Sequence, residues 1–96
     1  MKSNIQSLLV KIIHLLSVNG EKKWAETFEQ LSKKLDVDYD TTLIEIKRTF
    51  GGAGSFNDIV LHQNGQMLTR ENRELDKLQD QLYDATIAEI VRSKSH

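Results

Sequence analysis

Ser55, Asp58 and His62 bring a hydroxyl, a carboxylate and an imidazole into one short stretch, "SFNDIVLH", and these are the residue types of a nucleophilic triad. They crowd into one local segment, whereas nucleophilic sites assemble from separate elements. No Gly-x-Ser-x-Gly elbow accompanies them. The sequence therefore assigns no catalytic residue.

Immediately before them, "GGAG" at 51–54 raises the question of a phosphate cradle. Such a cradle works because backbone N–H groups, freed by glycine, converge on an anion at the start of a following helix. Here the glycines follow a helical pattern and precede an extended one, and no Gly-Lys-Ser/Thr follows. Gly51, Gly52 and Gly54 read as a helix stop and a tight turn, with Gly51 as the left-handed residue that ends the helix. The alternative is a backbone nest in which Gly51, Gly52, Gly54, Ser55, Asn57 and Asp58, with His62 nearby, hold an anionic ligand or a partner's carboxylate.

Metal chemistry finds little support. The acids of "DVDYD", Asp36 to Asp40, open like a calcium loop. Calcium needs glycine at position six and a bidentate glutamate at position twelve, and the chain supplies Thr41 and Lys47 there. No His-x-x-x-His or Glu-x-x-His pair exists, and His14, His62 and His96 are far apart. With no cysteine, disulfides, thiolate zinc sites and Fe–S ligation are excluded together. No metal and no cofactor is expected.

Asp76, Asp80 and Asp84 recur at every fourth position and form an acidic row along one side of a helix. Over that pitch the row spans ~12 Å, too far for one magnesium ion. It is either a solvated face, with Arg70, Arg73 and Lys77 offsetting part of the repulsion, or a docking surface for a basic partner.

Thirteen Lys and Arg against fourteen Asp and Glu give a net charge of −1, so no global field draws the chain to nucleic acid or to an anionic membrane. Trp24, Tyr39 and Tyr83 are too scattered to stack bases. The apolar run "KSNIQSLLVKIIHLLSV" is interrupted by Lys11 and His14 and is too short to span a bilayer. A cytoplasmic location is expected.

These groups must be positioned by a mainly α (α+β) fold, a single domain over 1–96. Ile5, Leu8, Leu9, Ile12, Leu15 and Leu16 recur at helical spacing, with Ser3 or Asn4 as cap and Asn19-Gly20 as stop. Val10 and Ile13 widen that face, which suits a central helix or a subunit contact. Trp24, Phe28, Leu31 and Leu35 mark a second helix, antiparallel to the first. A third runs from Tyr39 to Phe50, with Asp38 or Asp40 as cap and Leu43, Ile46 and Phe50 inward.

Asn64-Gly65 is a type I′ turn signal and predicts a β-hairpin near 58–63 and 66–69. A short helix capped by Ser55, with Asp58 at its third position, competes for the same segment. Residues 70–93 form the longest helix, capped by Thr69 or Asn72, with Leu75, Leu78, Leu82, Ile87, Ile90 and Val91 on one face. The result is a small bundle of about four helices with an insert near 56–69.

The segment "FGGAGSFND", Phe50 to Asp58, followed by Leu75, Leu78, Leu82 and Tyr83, resembles a family of small bacterial proteins with no assigned activity, and "NGEKKWAE" at Asn19–Glu26 extends the resemblance. It implies no catalytic role. Small bacterial domains of this kind often serve as accessory or toxin-immunity proteins.

The expected function is therefore non-enzymatic: binding another protein, with self-association through the first helix as a further possibility. The alternative is a small domain that binds an anionic ligand, or performs minor catalysis, at the loop 51–58.

Overall fold

The computed structural model describes residues 2–51 and 55–94, and of residues 2, 3, 57 and 94 the backbone alone. It is mostly helical, with four helices and one short antiparallel hairpin: α1 Lys2–Val18, α2 Lys22–Leu35, α3 Tyr39–Arg48, β1 His62–Gln63, β2 Gln66–Met67 and α4 Thr69–Lys94. Helix α1 packs on α2 and α4, and α3 packs on α4 and α2, so the four helices close a ring around one core.

Helix α1 buries Ile5, Leu8, Leu9, Ile12, Leu15 and Leu16 as its spacing requires. Its start differs from the expected one: the helix already includes Ser3 and Asn4, so neither is its cap. Val10 is exposed, so the apolar stripe is narrower than the sequence suggests, while Ile13 packs against the core edge.

The end of α1 follows from one glycine. Gly20 has φ +83°, its N–H bonds to the Ser17 carbonyl, and the Glu21 N–H bonds to the Leu16 carbonyl at 2.9 Å. This pair of bonds is a Schellman stop, which satisfies orphan carbonyls and needs a left-handed residue. The chain then reverses into α2, which buries Ala25, Phe28, Leu31 and Leu35.

Asp38 caps α3 by accepting from the Thr41 N–H, and Leu43 and Ile46 face inward. The far end of α3 is a correction. The helix stops at Arg48, then tightens through bonds from the N–H groups of Thr49, Phe50 and Gly51 to the carbonyls three residues back. Gly51 is not left-handed; positive φ among the described glycines belongs to Gly20 and Gly65. The stop is a tapering 3₁₀ turn, with the Thr49 hydroxyl bonded to the Ile46 carbonyl at 2.6 Å.

Both readings of 56–68 are realised in part. Residues Phe56–Asp58 form one 3₁₀ turn after Ser55, whose backbone is extended but whose side chain makes no cap bond. The hairpin is shorter than 58–63 and 66–69, pairing only His62 with Met67 and Gln63 with Gln66. Asn64 and Gly65 both have positive φ, 54° and 78°, as the type I′ turn demands.

Helix α4 buries Leu75, Leu78, Leu82 and Ile90 and half-buries Ile87, but Val91 is exposed at the bundle's end. Asn72 is not its cap: its backbone N–H already bonds to the Leu68 carbonyl within the first turn. No described helix is long and apolar enough to cross a membrane.

Candidate functional site

The loop after α3 is organised by Phe56. Its ring is fully buried and meets Phe28 at 4.4 Å, Phe50 at 5.4 Å and Trp24 at 5.7 Å between centroids. Phe50 in turn meets Tyr83 of α4 edge-on at 5.2 Å. A continuous aromatic path thus crosses the molecule from α2 to α4, each contact worth roughly 0.5–1.5 kcal/mol beyond its area.

The backbone of Phe56 is held as tightly as its ring. Its N–H bonds to the Thr49 carbonyl at 2.8 Å, and its carbonyl accepts from the buried Gln79 Nε2 at 2.7 Å. The first of these bonds brings the two ends of the glycine segment together. The described part of that segment serves to carry the chain back from α3 and seat Phe56 in the core.

Of the six residues expected around an anion, Gly51 is exposed, Ser55 is buried and Asp58 is exposed. His62 lies on the exposed hairpin. Gly52, Gly54 and the Asn57 side chain lie outside the described residues.

The acidic row falls where the sequence put it. Asp76, Asp80 and Asp84 are all exposed on α4, and among the described residues none makes a hydrogen bond or an ion pair. Arg70, Arg73 and Lys77 therefore contribute no direct contact to it. Asp80 and Asp84 line an open groove of about 370 Å³ with Phe50, Gln79 and Tyr83. Its lining combines two aromatic rings with two carboxylates.

Two polar devices were hidden from the sequence. Asn72, inside the first turns of α4, receives the Leu61 N–H on Oδ1 at 2.7 Å and donates from Nδ2 to the carbonyls of Leu61 at 3.0 Å and Leu68 at 2.8 Å. A side-chain amide here reproduces a strand's pairing and ties the marginal hairpin to α4. Tyr39 at the start of α3 donates its hydroxyl to Glu89 of α4 at 2.5 Å, and Arg92 approaches the other carboxylate oxygen at 3.5 Å.

That bond from Tyr39, more than any other influence, holds the Glu89 carboxyl below the usual glutamate range against the opposing effect of burial. Burial first, and the hydrogen bond to Glu89 second, push the Tyr39 phenol well above its ordinary value. The pair braces α3 against α4. The only sequence signal was an acid at a core-facing position of α4, and a single helix pattern does not say what faces it.

No group of three or more His, Asp or Glu able to hold a metal ion occurs among the described residues. What fold and sites define is a small helical-bundle domain with a hairpin insert and an open acidic and aromatic groove. Residues 17–69 match the model of a domain of unknown function, DUF6966, and the chain belongs to that family. The match runs from the end of α1 through α2, α3 and the hairpin to the first residue of α4, so it contains Asn19–Glu26 and Phe50–Asp58 and leaves out Leu75 to Tyr83. No curated protein and no solved structure matches the chain.

Proposed function

We propose that this chain is a non-enzymatic binding protein of the bacterial cytoplasm that acts by docking another protein, as an accessory or immunity factor. The observation that carries the reading is the outer face of α4. Asp76, Asp80 and Asp84 stand there exposed and, among the described residues, unpaired beside the aromatic groove of Phe50 and Tyr83. Like charges at four-residue spacing cost a helix roughly 0.2–0.5 kcal/mol per pair, and among the described residues no ion pair to a cation relieves them. A basic partner would relieve them and would be steered toward the row as it approached.

The Phe-Gly-Gly-x-Gly-Ser-x-Asn-Asp segment, in this reading, is a shared structural feature: it returns the chain so that Phe56 can fill the core. The test is affinity capture of the tagged full chain from its own host's lysate, followed by native mass spectrometry. A stoichiometric protein partner is the expected result. A chain recovered bare, or carrying only a small metabolite, would overturn the binding-protein reading.

A further inference from the structure

We infer that the groove between Phe50, just past α3, and α4 is an arginine socket, and that the partner presents an arginine side chain from a basic segment. The inference rests on the binding-protein reading above and specifies its chemistry. Four features converge on it. Asp80 and Asp84 are one helical turn apart, about 6 Å between Cβ atoms, and neither is paired among the described residues. A guanidinium placed between them reaches both carboxylates at once, which a compact ammonium does less well.

Gln79 supplies the third feature. It is 5% exposed yet lines the groove, and its Nε2 is committed to the Phe56 carbonyl. Its Oε1 is left as an acceptor with no partner among the described residues. Thr86 Oγ1 is the buried side-chain atom without a partner among the described residues, so the Gln79 oxygen is reached from the groove and can accept from an incoming N–H donor.

The fourth is aromatic. Tyr83 is 40% exposed and is propped edge-on by Phe50, so its position is fixed by the core while ring surface stays open to the groove. Arginine stacks on such rings and keeps its charge while doing so. The groove's volume, about 370 Å³, and its open form admit a side chain approaching from a neighbouring surface.

Other sites were weaker. The groove of Asp40, Leu43, Ile44, Ile90 and Ser93 is small and has its polar edge satisfied by the Ser93 to Asp40 hydrogen bond. The shallow surface on α2 at Lys23, Glu26, Thr27 and Gln30 offers no buried group at all.

The experiment is an NMR titration of the ¹⁵N-labelled full chain with a short Gly-Ser peptide carrying one arginine. The same peptide with citrulline, which keeps the shape and removes the charge, is the control. Saturable shifts at Phe50, Gln79, Asp80, Tyr83 and Asp84 are expected with arginine and not with citrulline. The double variant Asp80→Asn/Asp84→Asn, whose positions are exposed and tolerate the change, should bind ~10-fold more weakly or worse. Tyr83→Leu should weaken binding about threefold.

Equal binding of the citrulline peptide, shifts centred elsewhere, or none at millimolar peptide would overturn the socket. The double variant in the lysate capture separates the two readings. A partner held equally by wild type and variant leaves the binding-protein reading standing and removes the socket. Arginine-specific shifts with no captured partner support the socket's chemistry and remove the partner.

Discussion

Replacing Asn72 with alanine tests how the hairpin is held. The Asn72 side chain makes three hydrogen bonds to main chain, but their losses are not equivalent. The Leu61 carbonyl still accepts from the Leu68 N–H at 3.0 Å, and the Leu68 carbonyl still accepts from the Asn72 N–H at 2.9 Å. The group left orphaned is the N–H of Leu61, a residue with no exposed surface. An unsatisfied buried donor costs about 1–3 kcal/mol, and the two lost Nδ2 bonds add about 0.5–1 kcal/mol each.

Alanine returns about 0.5 kcal/mol through its better helix propensity. The net expected loss is roughly 1.5–4.5 kcal/mol, which in a domain of this size lowers Tm by roughly 6–36 °C. Urea unfolding gives the stability change, and amide exchange shows whether the Leu61 N–H has lost protection. A Tm drop below about 4 °C with the Leu61 amide still protected would refute the reasoning, since the hairpin would then be held by something other than this clamp.

Two further outcomes follow from the same physics. Gly20→Ala should cost about 1–2 kcal/mol by chemical denaturation, because a Cβ there meets no atom within 4 Å and the whole penalty comes from the left-handed φ of +83°; a stability-neutral alanine would mean the Schellman stop relaxes freely. Tyr39→Phe should lose roughly 1.5–3 kcal/mol at neutral pH by removing a hydrogen bond to a buried carboxylate. The Glu89 pKa is depressed in the fold, so its contribution is present above the ordinary carboxylate value of ~4.3 and is lost as pH falls through the lower folded value. The gap between wild type and Tyr39→Phe should therefore narrow on acidification below about pH 4, and a gap constant down to pH 2 would argue against the charged hydrogen bond.

The four helices and the turn at Asn64-Gly65 were legible because their causes are local. Helical periodicity, the Asp38 cap and the turn preference of Asn-Gly act within a few residues, and the structure has all three. The glycine at the end of α1 was equally plain. Gly51 was misread as left-handed because a glycine after a helix is the usual stop, whereas α3 ends by tightening into a 3₁₀ turn two residues earlier. The lengths of the strands were overestimated for a related reason: apolar Ile59 and Leu61 look like strand residues, but they serve the helical core instead.

Composition and periodicity alone determined that this is a mainly helical chain without cysteine chemistry and with an acidic row on its last helix. Only tertiary structure decided that Phe56 joins the aromatic path between α2 and α4, that Asn72 faces inward as a clamp, and that the row borders an open groove against Phe50 and Tyr83. The physical reason is range. Propensities, caps and turns are settled by neighbours in sequence, while the partners of a phenyl ring, an amide or a carboxylate are settled by which surfaces the helices bury against one another.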